Sequence, residues 1–321
     1  MLELKRQPYR FIDSHCHLDA NEFSSDVQEV RDSARAKGVD LCLIPSVDRA
    51  SFQKVAELAY LFNDFYALGI HPLFSLSATQ TDIDSLKESV LKTREVVTQG
   101  ETLGTTRMGG LISLSALSGT SGTSGTSGTT ESGAKSFKDP RMIAIGEIGL
   151  DKVVSGLDWG KQVDIYEQQL KIACEFGLPV VLHVRGAVDF ILKGLRKIPV
   201  QGGIAHAFNG SLQQAHQLID LGFKLGFGGA LTYPRALHLR RLAKELPLDS
   251  IVLESDSPDI VPSWLYVNAD RRAAGEEQGR NEPGVIPKIA AELSSLRGIT
   301  TDELMYATTA NFVSIFNLKN L

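Results

Sequence analysis

Short apolar runs alternate with longer stretches of helical period from one end of the chain to the other, the pattern of a parallel sheet covered by helices. About eight runs read as strands, beginning near Tyr9, Asp40, Phe65 and Met142 and continuing near Pro179, Gly203, Phe223 and Ile251. Apolar positions three and four apart mark helices over 51–62, 164–176 and 212–221, with two closing helices over 285–296 and 301–316. The repeat predicts an α/β fold of the (β/α)8 TIM-barrel type, with an open doubly wound sheet as the competing architecture. No Gly-rich phosphate fingerprint follows the first run, which weighs toward the barrel.

One segment breaks the rhythm. Between about 100 and 140 the chain carries the tract Gly119-Thr120-Ser121-Gly122-Thr123-Ser124-Gly125-Thr126-Ser127-Gly128, too small and polar to bury a core. It reads as a flexible, low-complexity insertion. Because it joins a helix to the next strand, it is expected at the N-terminal end of the barrel, opposite the catalytic face, and dispensable for chemistry. The 321 residues then form one barrel domain spanning 1–321 with that insertion.

A hydrophobic fraction of 43% with 22% charged residues excludes global disorder. The net charge of −5 excludes broad electrostatic attraction to nucleic acid, so a phosphate-bearing ligand must be held by local cations or metals. Cys16, Cys42 and Cys174 form no C-x-x-C pair and fit free thiols in a reducing compartment. The N-terminus carries no signal-type apolar region and no apolar run approaches membrane-spanning length. The expected address is cytoplasmic, with no membrane association and no stable protein partner.

Chemistry enters with the position of the ionisable residues. Asp13, His15 and His17 are two apart, so on a strand all three share a face. His71 follows the third apolar run, Glu147 the fourth, His183 the fifth, His206 the sixth and Asp256 the eighth. In a barrel these positions converge on the C-terminal mouth, where active sites of this fold are built. Singly, His183 and His206 also fit core histidines, and Glu147 and Asp256 fit helix caps or surface carboxylates. Jointly they fit a metal site: imidazole nitrogen and carboxylate oxygen suit Zn2+ or Mn2+, and oxygen-rich sets suit Mg2+. His216 and His238 read as surface or packing residues on helices, and Cys16 as a buried residue pointing away from its histidine neighbours.

The motifs Asp13-Ser14-His15-Cys16-His17, Gly69-Ile70-His71-Pro72, Gly146-Glu147-Ile148-Gly149-Leu150-Asp151, Leu182-His183-Val184-Arg185, Glu254-Ser255-Asp256-Ser257-Pro258 and Arg280-Asn281-Glu282-Pro283 resemble, in order and spacing, the TatD-type metal-dependent deoxyribonucleases. The run His206-Ala207-Phe208-Asn209-Gly210-Ser211 through Thr232-Tyr233-Pro234-Arg235 is similar to the YjjV subgroup of that family. The resemblance covers nearly the whole chain outside the insertion. It implies a barrel hydrolase with two divalent metal ions, Zn2+, Mn2+ or Mg2+. It further implies that His15, His17 and Asp256 hold one ion and His183 and His206 the other, with Glu147 bridging, while His71, Arg185 and Arg280 sit near the scissile phosphate. Leu73 stands where many relatives carry a further His, and the insertion is foreign to the family pattern.

Two ions about 3.5–4 Å apart suit phosphodiester hydrolysis, because they serve both the attacking and the leaving oxygen. Asp256 is the expected general base and Glu147 the second catalytic carboxylate. Arg185 and Arg280 are the expected phosphate clamp. The loop over 259–281 offers Trp264 and Tyr266 either for base stacking or for packing on the rim. The expected activity is that of a 3′–5′ exonuclease-type deoxyribonuclease, with DNA or another phosphodiester as partner. The alternative is a hydrolase of a carboxylic ester or amide, such as a small metabolite or an aminoacyl-tRNA.

Overall fold

Eight parallel strands follow one another around a single sheet in chain order. They are β1 (Phe11–Asp13), β2 (Val39–Pro45), β3 (Phe65–Leu68), β4 (Met142–Asp151), β5 (Val180–Arg185), β6 (Gly203–His206), β7 (Phe223–Phe227) and β8 (Ile251–Leu253). The computed structural model describes residues 10–94 and 139–318. Across the seam, the Ser14 N–H donates to Leu253 O at 2.9 Å and the Asp256 N–H to His15 O at 2.9 Å. These bonds carry the last strand back to the first, and the sheet is a nearly closed (β/α)8 barrel.

The helices are α1 (Val27–Ala36), α2 (Phe52–Phe62), α3 (Gln80–Arg94), α4 (Trp159–Phe176), α5 (Val188–Lys197), α6 (Leu212–Asp220), α7 (Leu237–Glu245), α8 (Ala269–Ala273), α9 (Ile286–Arg297) and α10 (Thr301–Phe316). Local signals set their ends. Thr300 and Glu303 form a capping box at the start of α10, and Asn317, at φ 51°, closes it in the left-handed region. Helix α4 starts at Trp159, earlier than the apolar spacing implies, because the Asp158 side chain accepts from the Lys161 N–H at 2.9 Å.

Strand alternation divides the core. Ile12, Leu43, Phe65, Ile143, Val181, Ile204 and Val252 meet inside the barrel, where Phe312 and Phe316 of α10 pack against them. A larger cluster fills the space between strands and helices, with Val188, Ile191, Leu192 and Leu195 of α5 among its members. Full burial of such a side chain contributes about 1.5–3 kcal/mol.

One ion pair is wholly enclosed. Arg31 on α1 meets Asp64 ahead of β3 through Nε–Oδ2 at 2.6 Å and Nη2–Oδ1 at 2.7 Å, with both side chains fully buried. The remaining guanidinium donors go to Val39 O and Asp40 O, and Asp64 Oδ1 also accepts from the Cys42 N–H. This network ties α1 to the β2 and β3 side of the barrel.

Two expectations are corrected. Strand β4 does not end at Ile145 but runs to Asp151, because Ile148, Gly149, Leu150 and Asp151 pair with Leu182, His183, Val184 and Arg185. Glu147 and His183 therefore lie within strands rather than after them. Strand β1 stops at Asp13, so period-two alternation does not govern His15 and His17. Their course is set by the bonds from the Cys16 N–H to Leu43 O and from the His17 N–H to Ser257 O.

The insertion lies, apart from its end at 139–140, outside the described residues. Its described flanks meet where the Asp139 N–H donates to Thr93 O at 3.2 Å, just ahead of β4 and away from the strand ends that carry the histidines. Deleting 104–138 is expected to leave a folded protein whose turnover stays within about threefold of the intact chain, since loops at the N-terminal face serve stability rather than chemistry. Circular dichroism and steady-state kinetics check this, and a large loss of turnover in a folded protein would refute it.

Candidate functional site

At the C-terminal ends of the strands one carboxylate stands among five imidazoles. Glu147 is almost fully buried, and its two oxygens face different groups. Oε2 lies 3.2 Å from His15 Nε2 and 3.5 Å from His17 Nε2. Oε1 lies 3.0 Å from His183 Nδ1, 3.3 Å from His206 Nε2 and 3.3 Å from His71 Nε2. Asp256 Oδ1 joins the first group, 3.4 Å from His15 Nε2 and 3.7 Å from His17 Nε2.

The backbone explains the convergence. Val181 and His183, like Ile204 and His206, are two apart on one strand, so the face that turns an apolar side chain into the barrel turns an imidazole inward one layer above it. His183 and His206 are register partners across β5 and β6. Gly149, at φ 148°, brings β4 against β5 beside them; a Cβ there would stand 2.0 Å from His183 O. Asp256 sits at φ 53°, a left-handed conformation costing about 1–3 kcal/mol for a non-glycine residue. The bond from its N–H to His15 O holds it there and turns its carboxylate toward the histidines.

The donor atoms fit a divalent ion. His15 Nε2 and His17 Nε2 are 3.1 Å apart, and their distances to Glu147 and Asp256 run from 3.2 to 3.7 Å. Ligand atoms held about 2.1 Å from one ion stand roughly 3.0–3.4 Å from each other. His15, His17 and Glu147 form one group of potential ligands, His15, His206 and Asp256 another, and His71, Glu147 and His183 a third.

Electrostatics follow from this crowding. Burial opposes charge on every imidazole, yet the bond and charge of Glu147, with Asp256, lift His17 to about 9. His206, also opposed by burial, is raised to about 10 by Asp256 and Glu147. His15 goes the other way, lowered by burial and by the nearby charge of His206. Burial raises Asp256 to about 6 against the pull of His206 and His17. Against its own burial, Glu147 is held well below the usual carboxylate range by His71, His15 and His206.

His71 differs from the others. Its Nδ1 accepts from the Leu73 N–H at 3.1 Å, and burial lowers its basicity. In the neutral ring Nε2 then carries the proton and donates toward Glu147, so His71 is built to donate a hydrogen bond rather than a lone pair.

The structure thus brings together His15, His17, His71, Glu147, His183, His206 and Asp256. It also brings Arg185 to the same mouth, more than half exposed, with Nη1 3.8 Å from Asp151 Oδ2. Arg280 is a correction. Its guanidinium is taken up by Asp26 (2.6 and 2.9 Å), Glu282 (2.9 Å) and Glu22 O, and it lies over the Phe23 ring, so it does not line the cleft. Trp264 packs under Lys288 and Tyr266 against Tyr233, and neither lines the cleft. Cys16 is buried, as its sequence position implies, and His216 is exposed. His238 packs, with Nε2 2.9 Å from Gly210 O, but also borders the cleft.

Three supporting carboxylates carried no assigned role in the sequence reading. Asp151 Oδ2 is 3.0 Å from His183 Nε2, while its Oδ1 accepts from the Val153 and Val154 N–H groups. Burial would raise Asp151, but those bonds hold it well below the usual range. Its signal was present: Glu147 and Asp151, four apart on one strand, share a face. Glu254 Oε1 accepts from the Ala207 N–H at 2.6 Å and lies 3.6 Å from His206 Nδ1. Asp13 does not join the histidine cluster but binds the Ser255 N–H and Oγ at 2.9 and 2.5 Å, with the thiols of Cys16 and Cys42 nearby. Burial pushes Asp13 up to about 7 despite those bonds.

A cavity of about 1150 Å3 opens over the cluster, bordered on its outer side by Lys152, Arg185, Phe190, Asn209 and Asp259. Among the described residues no helix is long and apolar enough to cross a membrane.

A family model described as TatD related DNase matches residues 12–102 and 126–317, leaving out the middle of the insertion. An uncharacterized metal-dependent hydrolase of Haemophilus influenzae is 32% identical over 317 residues, covering 96% of this chain and 99% of that protein. The 3′-5′ ssDNA/RNA exonuclease TatD of Klebsiella pneumoniae is 34% identical over 186 residues, covering 56% of this chain and 67% of that protein. The crystal structure of YjjV, a TatD homolog from Escherichia coli K12, superposes with a TM-score of 0.75 at 28% identity, covering 96% of this chain and 98% of that one.

Proposed function

The chain belongs to the TatD-related DNase family of metal-dependent hydrolases, and from that premise we propose that it hydrolyses phosphodiester bonds, as a deoxyribonuclease of the 3′–5′ exonuclease type. The observation that carries this reading is the division of Glu147: Oε2 toward His15 and His17, Oε1 toward His183 and His206. A carboxylate so placed has lone pairs for two ions at once. His15, His17 and Asp256 would hold one, His183 and His206 the other, with Glu147 between them.

Bound divalent ions supply Lewis acidity toward the phosphate and ease ionisation of the attacking water. The chain's own groups do the rest. Asp256, whose Oδ1 stands 3.4 Å from His15 Nε2 and 3.7 Å from His17 Nε2, is placed to accept the proton of that water. The Arg185 guanidinium supplies hydrogen bonds to the non-bridging phosphate oxygens, and His71, its Nε2–H directed at Glu147, stands beside them. Asp151 and Glu254 hold His183 and His206 in orientation from behind.

Chelation with EDTA is expected to abolish hydrolysis of single-stranded DNA and of bis-p-nitrophenyl phosphate, with Zn2+, Mn2+ or Mg2+ restoring both. Turnover that survives exhaustive chelation would sink the reading. Faster turnover of p-nitrophenyl acetate than of the phosphodiester would move the assignment to a carboxylic-ester hydrolase on the same site.

A further inference from the structure

The outer wall of the cleft carries a feature the metal centre does not use. Phe190 lies near the start of α5 and is 40% exposed, although the inward face of that helix is filled by Val188, Ile191, Leu192 and Leu195. Its ring meets Trp159 edge to face, with centroids 4.9 Å apart. Lys152, on the loop after β4, hangs its Nζ 4.8 Å over the Phe190 ring and 5.6 Å over Trp159. Val153 and Leu73 border the same cleft and are 59% and 42% exposed.

The placement of this wall relative to the reaction centre is fixed by backbone. The Lys152 N–H donates to Arg185 O at 2.9 Å, so the β4 and β5 loops leave the barrel side by side. Gly186, at φ 66°, allows that approach, since a Cβ there would stand 3.0 Å from Val153 Cγ2. Contacts link the wall to the reaction centre: His183 meets Asp151, Asp151 meets Arg185, and Lys152, next in the chain after Asp151, lies over Phe190 in the same cleft.

We infer that Phe190, supported by Trp159 and flanked by Lys152, is a stacking platform for the nucleobase next to the scissile phosphate, with Lys152 taking the following phosphate. The inference rests on the phosphodiesterase reading and names its substrate as a single-stranded nucleic-acid end. The half-exposed ring, fixed by an aromatic neighbour, presents a rigid π-face to a base once Lys152 turns from it to a phosphate, and every base has a matching face. Among the described residues the ammonium above it is held by cation–π attraction to Phe190 and Trp159, which a phosphate outcompetes as a charged partner. Asp189 and Asp259 border the rest of the cleft, so the cationic run is short and serves a strand end rather than a long duplex.

The test measures binding separately from turnover. A fluorescein-labelled phosphorothioate tetrathymidylate is titrated into metal-loaded protein, and KM is compared for tetrathymidylate and for bis-p-nitrophenyl phosphate, which has no nucleobase. Phe190→Ala is expected to weaken oligonucleotide binding about tenfold and to raise the ratio of the two KM values, while Phe190→Trp retains binding. Lys152→Gln is expected to lower the slope of log Kd against log salt by about 0.7, one phosphate contact on a single strand. A Phe190→Ala affinity within about twofold of the starting protein, or an equal loss on both substrates, would overturn the platform. Hydrolysis of bis-p-nitrophenyl phosphate without oligonucleotide binding overturns it too, while leaving the hydrolase standing. Oligonucleotide binding that is lost in Phe190→Ala, in a protein that hydrolyses neither phosphodiester, supports the platform and removes the proposed activity.

Discussion

Glu147→Gln is expected to cut phosphodiester turnover by on the order of 10³ or more and to lower bound metal below the level of the starting protein. Loss of a partner that merely orients a ligand costs about 10- to 100-fold, and Glu147 is more central than that, since five imidazoles surround it within 3.5 Å. Glutamine keeps the shape but presents an N–H2 group where a second acceptor oxygen stood. The same change removes the main charge that lifts His17 to about 9 and part of what, after Asp256, lifts His206 to about 10. Both should titrate closer to the ordinary imidazole value. Metal analysis, steady-state kinetics and an NMR titration of the histidine rings check the three effects together. Full metal content with near-normal turnover would show that Glu147 is not the shared ligand.

Asp64→Ala is expected to destabilise the fold by about 3–5 kcal/mol, because it leaves the Arg31 guanidinium buried with its charge unpaired. The two carbonyl bonds to Val39 and Asp40 remain but do not neutralise it. In a barrel of this size the shift in Tm is expected to be on the order of 10 °C. Replacing both partners, Arg31→Met with Asp64→Leu, should restore most of the stability, since two apolar side chains leave no charge to bury. Denaturant unfolding of the three variants checks this. An Asp64→Ala variant as stable as the double replacement would show that the pair contributes little.

The legibility of the molecule varied with the kind of information. The apolar runs near Phe223 and Ile251 became β7 and β8 with little change: β8 is a wholly buried Ile-Val-Leu stretch, and β7 is broken only by the half-buried Lys224 and by Gly226. Strand β4 was harder. Its second half, Gly146 to Asp151, mixes glycine with two carboxylates and reads as a loop, yet after a register shift at Gly146 and Glu147 it pairs with β5 from Ile148 to Asp151. Glu147 and His183, expected just after their strands, sit inside them.

Arg280 shows the opposite case. Its chemistry fits a phosphate clamp, but residue type says nothing of which carboxylates stand nearby, and Asp26 and Glu282 hold it away from the cleft. Trp264 and Tyr266 were reasonable stacking candidates for the same reason, whereas Phe190 gave no signal along the chain. An aromatic in an amphipathic helix reads as packing until the cleft is seen beside it.

The chain's pattern of apolar and polar positions determined by itself that a parallel α/β barrel forms, and the residue types at its strand ends determined that imidazoles and carboxylates gather at one mouth. Only the tertiary structure decided how they divide: which oxygen of Glu147 faces which histidine, which backbone N–H His71 Nδ1 accepts, and which arginine reaches the cleft. Periodicity is a property of neighbours in sequence, set by backbone geometry that any stretch of chain obeys. The direction of a side chain at a strand end depends on bonds to residues tens or hundreds of positions away, such as Asp13 to Ser255, and these exist only once the barrel has closed.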